Sequence, residues 1–139
     1  MAQQLREVMT PDPIVLPVTA PMMEAAQRMR DEDIGDVLVE DNGKLCGMCT
    51  DRDMVVRAIA EGLEPRTTPV GNVCSREIVA LSPDDLVEDA IRLMREHAVR
   101  RMPVVEDGRP VGMISLGDLA IDRDFDSALA EISAAPPNN

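Results

Sequence analysis

A displacement of 65 residues lays the second half of this chain on the first. "KLCGMCTDRDM", ending at Met54, then superposes without a gap on "RPVGMISLGDL", ending at Leu119. The same register puts Val8 on Val73, Leu16 on Leu81, Ala25 on Ala90, Met29 and Arg30 on Met94 and Arg95, Val39 on Val104, and Gly43 on Gly108. Self-similarity of this length means two copies of one supersecondary unit, which constrains the fold more than any single motif does. The repeats span residues 5–60 and 70–125, and together they form one compact module; 126–139 is read as a helix end and a flexible tail.

Each copy carries the same order of patterns. An extended piece, "VMTPDPIVL" or "VCSREIVAL", comes first. A helix follows, with Met22, Ala25, Ala26 and Met29 as the apolar stripe of copy 1 and Leu86, Ala90 and Met94 as that of copy 2. Ser82 as N-cap, Pro83 at the first helical position and Asp84 and Asp85 at the positive helix end place the start of the second one. Two short apolar runs joined by Asp/Asn/Gly turns then indicate a hairpin: "VLVE" with "KLCGMC", and "MPVVE" with "RPVGMI". A second helix opens at Thr50 or Ser115, running through "MVVRAIAEG" in one copy and "LAIDRDFDSALAEI" in the other. The order is β-α-β-β-α, an α+β (α/β) class. "GLEPRTTPVG" connects the copies.

The 139 residues suffice for a core without disulfide staples. Fourteen basic against 26 acidic residues give a net charge of −12, which opposes attraction to nucleic acid or to an anionic membrane. No apolar run reaches spanning length and the N-terminus lacks a signal-peptide core, so a cytoplasmic protein is expected. With one aromatic, Phe125, and ten methionines, Met takes over gap-filling in the interior.

Three cysteines is an odd count, against a disulfide framework. Cys46 and Cys49 replace Val111 and Ile114 of the other copy, so they read as strand residues lining the core or a pocket. Strand alternation sends residues three apart to opposite faces, which opposes a shared metal or a disulfide between them. A tight zinc site needs four ligands, Cys74 and His97 are the only further thiol and imidazole, and no metal or required cofactor is expected.

Both copies share Gly, two apolar residues, a hydroxyl, two variable residues and Asp: Gly47 to Asp53 and Gly112 to Asp118. Ser/Thr followed three residues later by an acid is a helix-capping pattern. The same groups also suit a nucleotide, since a hydroxyl and helix-start amides fit a phosphate and a carboxylate accepts from ribose hydroxyls. Neither reading excludes the other.

The repeated unit ending in Gly-apolar-apolar-Thr/Ser-x-x-Asp resembles a pair of CBS (cystathionine beta-synthase) domains, the tandem called a Bateman module. "VMT" ahead of the first strand, Ala25-Ala26 with Met29, and "VRRMPVVEDGRPVGMIS" add to it. "EDIGDVLVEDNGKLCGMCTDRDMVVRA" is similar to stand-alone bacterial CBS-pair proteins of the hypoxic-response type. The resemblance implies two pseudo-twofold-related repeats packed through their sheets, with adenosyl ligands in clefts between them. It places Asp53 and Asp118 on ribose hydroxyls, Thr50 and Ser115 near ribose or phosphate, and Ile14, Val79, Val37 and Met102 around adenine through backbone groups. Arg100 and Arg101, with Arg52, would face phosphates; copy 1 has Gly35 and Asp36 at the first two positions, so the sites are unequal. The function so implied is a non-catalytic sensor of AMP, ADP or ATP, with NAD(H) or S-adenosylmethionine as other ligands. Such a sensor would form a homodimer and act on an effector protein in trans. The rival is an interaction module with empty clefts; an enzyme or a nucleic-acid binder lacks the required groups.

Overall fold

The computed structural model describes residues 3–119. It contains two compact units, each built on a three-stranded sheet, and the described chain has the mixed helix and strand content of an α+β two-repeat fold.

One unit comprises residues 13–78 and 108–110. Strand β2 (Val15–Pro17) pairs in parallel with β3 (Asp36–Asp41), and β3 pairs antiparallel with β4 (Lys44–Thr50). Helix α1 (Met22–Glu32) crosses between β2 and β3, and it buries Met22, Ala25 and Met29. The turn from β3 to β4 uses Asn42 and Gly43 at φ 54° and 81°, the left-handed pair that a tight hairpin needs. Helix α2 (Asp51–Met54) starts where β4 ends and continues as a π-helical stretch, Val55–Ile59. Leu16, Val37, Val39, Cys49, Met54, Ala58, Val70, Val73 and Cys74 share its core with the α1 residues.

The other unit holds the described residues 3–12, 79–107 and 111–119. Helix α3 (Val87–His97), β5 (Arg101–Glu106), β6 (Arg109–Ser115) and α4 (Leu116–Leu119) each lie 65 residues after their counterparts begin. Its third strand comes from the N-terminus: β1 (Thr10–Pro11) pairs antiparallel with β6, Thr10 opposite Met113. Upstream of β1, a 3-10 turn at Leu5–Glu7 is tied down by Leu5 N–H to the Asp85 carbonyl at 2.9 Å and Arg6 N–H to the Pro83 carbonyl at 3.0 Å. The sequence repeats and the packed units therefore differ. Residues 5–12 read with repeat 1 and pack with repeat 2, while 70–78 read with repeat 2 and pack with repeat 1.

The extended piece of the second repeat is reduced to one bridge, Leu81 with Val104. Proline explains this. In the first repeat Leu38 N–H donates to the Ile14 carbonyl at 2.9 Å, and the residue in register with Leu38 is Pro103, which has no N–H to give to Val79.

The expected start of α3 at Ser82 is corrected. Ser82 N–H donates to Asp85 Oδ2 at 2.8 Å and Asp84 N–H to Ser82 Oγ at 3.2 Å, so these residues close a separate turn. Leu86 follows in extended conformation, α3 opens at Val87, and Asp89 Oδ2 accepts from Leu86 N–H at 3.0 Å. Most of the second helix expected in repeat 2, and the tail at 126–139, lie outside the described residues.

Both crossover helices end on a left-handed residue, Asp33 at φ 55° and Ala98 at φ 53°. A β-carbon in that conformation is unfavourable, and glycine removes the strain. Ala98→Gly is expected to stabilise the protein by about 0.5–1 kcal/mol, read as a higher urea midpoint at unchanged slope.

Candidate functional site

The turn from β4 into α2 is held by its own side chains. Thr50, extended at φ −106° and ψ 164°, is the N-cap: its Oγ1 accepts from Asp53 N–H at 3.0 Å, and Asp53 Oδ2 accepts from Thr50 N–H at 3.0 Å. Asp51 N–H donates to the Gly35 carbonyl at 3.0 Å, which pins the turn to the start of β3. Asp36 is the cross-strand partner of Thr50. A β-carbon at Gly35 would stand 3.3 Å from Asp51 Oδ2, so glycine lets the turn pack closely here. Arg52 is exposed in the first turn of α2.

The second repeat builds the same turn. Ser115 Oγ accepts from Asp118 N–H at 3.2 Å and donates to Asp118 Oδ2 at 3.0 Å, while Ser115 N–H donates to that oxygen at 2.8 Å. Leu116 N–H donates to the Arg100 carbonyl at 3.0 Å, the counterpart of the bond from Asp51 to Gly35. The structure thus brings Thr50, Asp53, Asp36 and Arg52 together in one unit, and Ser115, Asp118 and Arg100 in the other. Arg100 and Arg101 are both exposed.

Charge separates the twins. Around Thr50 stand the carboxylates of Asp36, Asp51 and Asp53; the register equivalents of Asp36 and Asp51 are Arg101 and Leu116, and Arg100 replaces Gly35. The guanidinium groups at 100 and 101 therefore have no counterpart at the matching positions of the first repeat.

The residues expected around an adenine are divided. Ile14 and Val79 are half-buried and pack against the two cores. Val37 and Met102 are 1% exposed and belong to the cores themselves, which leaves only their backbone for a ligand. Ile14 already uses its carbonyl in the sheet, whereas Pro103 denies Val79 the matching donor.

Arg57 is a residue that the motif reading missed. Its Nε lies 3.6 Å from Asp53 Oδ1 and its Nη1 donates to the Cys74 carbonyl at 3.3 Å, so it braces the oxygen of Asp53 not used in the cap. The signal available in sequence was the four-residue spacing of Asp53 and Arg57 in a helical pattern.

The opposite-face reading of Cys46 and Cys49 is also corrected. A register shift in β3–β4 between Val39 and Glu40 leaves Cys46 as the extra residue of β4, and such a bulge breaks alternation. Cys46 packs against the core that contains Cys49 and Cys74. All three are free thiols. Burial, with Asp53 nearby, pushes the Cys49 thiol up to about 12, and burial also raises that of Cys74. Among the described residues no three His, Cys, Asp or Glu side chains are grouped to hold a metal ion, and no helix is long and apolar enough to cross a membrane.

Comparison with known proteins agrees with this architecture. The CBS domain family model matches residues 5–59 and 70–121. The CBS domain-containing protein YhcV of Bacillus subtilis is 37% identical over 133 residues, covering 93% of this chain and 94% of its own length. The crystal structure of Hypoxic Response Protein I with two coordinated zinc ions superposes with a TM-score of 0.79 at 31% identity, covering 87% of this chain and 99% of that one. A hexameric CBS-CP12 protein from bloom-forming cyanobacteria gives a TM-score of 0.74 at 27% identity, covering 91% and 75%. Paired repeats, twin capped turns and these matches lead to one conclusion: the chain belongs to the CBS domain family, as a CBS pair.

Proposed function

We propose that this CBS pair is a non-catalytic regulatory module that binds an adenine nucleotide, AMP, ADP or ATP, through the Thr/Ser-x-x-Asp turns of its repeats. The observation that carries this reading is the shared construction of the two turns, down to the bond that ties each to the residue just before the first strand of its hairpin. In each turn the carboxylate is an acceptor for ribose hydroxyls beside a hydroxyl and backbone amides. The arginines at 100 and 101 favour the second repeat as the site for phosphates.

Occupancy would bias the packing of the helices that begin at these turns, and a partner in trans or a change of assembly would read it out. Val55, Val56 and Ile59 are 55%, 46% and 61% exposed on one helical stretch, and Leu63, 41% exposed, follows the turn after it, which supports a homodimer through this apolar surface. Ile59→Glu is expected to shift the protein toward monomer in sedimentation analysis while leaving its circular dichroism unchanged.

The rival reading, docking without ligand, is favoured by one specific observation: both hydroxyl–carboxylate pairs are already engaged in capping. The two are separated by thermal unfolding of nucleotide-stripped protein against AMP, ADP, ATP, NAD, NADH and S-adenosylmethionine. A ligand at ~100 times its Kd stabilises by about 2.7 kcal/mol, a shift of several degrees. A selective shift supports the sensor, and no shift with any of them supports the docking module. The zinc named for Hypoxic Response Protein I is not proposed for this chain, since among the described residues no three His, Cys, Asp or Glu side chains are grouped to hold a metal ion.

A further inference from the structure

Cys46 directly precedes Gly47 on β4, Cys49 follows it by two residues, and Cys74 packs against it. A β-carbon at Gly47 would lie 2.8 Å from Cys74 Sγ and 3.6 Å from Cys74 Cβ, so the Cys74 side chain occupies the space that glycine leaves open on β4. Cys46 and Cys49 flank that space along the strand. The segment bearing Cys74 is fastened there by an antiparallel bridge, Met48 N–H to the Ser75 carbonyl and Ser75 N–H to the Met48 carbonyl, both at 2.9 Å. The β4 bulge places its extra residue, Cys46, immediately beside Gly47 and against the core in which Cys74 lies.

The second repeat has the same construction without thiols. A β-carbon at Gly112 would lie 2.6 Å from Met9 Sδ, and the flanking residues are Val111 and Ile114. The packing arrangement therefore needs only apolar bulk. Cysteine stands at all three positions in one repeat and at none in the other.

We propose that Cys46 and Cys74 form a thiol–disulfide centre, oxidised by exchange with a low-molecular-weight disulfide. Cys46 is half-exposed whereas Cys74 is buried, so Cys46 meets the reagent first. Its thiolate attacks one sulfur of the reagent, forms a mixed disulfide and expels one thiolate, which is protonated in solution. Cys74 loses its proton, attacks the Cys46 sulfur and expels the second thiolate. The protein loses two hydrogens and two electrons, and the reagent is reduced to two thiols. Because burial holds the Cys74 proton, the second step accelerates as pH rises. The centre does not depend on the nucleotide reading.

The test is incubation of the folded protein with glutathione disulfide at pH 8, quenching with N-ethylmaleimide, and intact-mass and peptide mapping. The expected product has lost two hydrogens, joins the peptides of Cys46 and Cys74, and leaves Cys49 to be alkylated only after unfolding. Cys49→Ala should still form it, and Cys74→Ala should stop with one glutathione on Cys46. Thiols at 46 and 74 that both remain free after treatment, or a bond that joins Cys49 instead, would overturn the proposal on the wild-type protein alone.

Discussion

Leu5→Ala is expected to lower stability by about 3 kcal/mol, a large share of what a domain this size possesses. Leu5 is 0% exposed and packs with Leu81, Val87, Ala90, Met94, Met102, Val104 and Ile114, residues at least 76 positions away in sequence. Truncating it removes three heavy atoms from a closed core, and the neighbours, held on α3 and the sheet, cannot collapse fully into the gap. Urea denaturation measures the loss. The neighbouring Arg6→Ala removes an exposed ion pair with Asp84 and should leave the midpoint nearly unmoved. Equal effects from the two substitutions would mean that the N-terminal segment does not contribute to that core.

Asp118→Ala is expected to weaken adenine-nucleotide binding by about 30-fold, equivalent to about 2 kcal/mol, by removing a charged acceptor for ribose hydroxyls. The substitution also removes the acceptor for Ser115 N–H, so a drop in stability accompanies it. Asp118→Asn separates the effects, since an amide oxygen can still accept from Ser115 while the charge is lost. Arg101→Ala should weaken AMP, ADP and ATP without altering adenosine, because a guanidinium recognises phosphate. Isothermal titration of the four ligands against the three variants makes the comparison. Unchanged affinity for Asp118→Ala and Arg101→Ala together would remove the site assignment.

Much of this architecture was legible from the 65-residue register alone. It carries α1 onto α3 and the first hairpin onto the second, and it matches Thr50 with Ser115 and Asp53 with Asp118. Local signals were less reliable where they competed with it. Ser82, Pro83 and two aspartates form a strong helix start, yet they close their own turn, while the register from Pro21 to Leu86 marks the true boundary. The bulge at Cys46 has no signature in composition, and without it alternation gives the wrong face. Arg57 escaped because it lies beyond the shared motif, and the register gives it no basic counterpart, only Asp122. The assignment of residues 3–12 to the second unit depends on pairing across about a hundred residues, which no local pattern encodes.

That last pairing imposes an order of events during synthesis. Thr10 leaves the ribosome roughly a hundred residues before Met113, its partner across the sheet. The unit that owns the N-terminus must therefore wait for nearly the whole chain, while residues 13–78 are available early and lack only 108–110. At translation speeds of about 5–20 residues per second the exposed N-terminal strand remains unpaired for some seconds. During that interval Leu5, which is 0% exposed once folded, remains open to solvent.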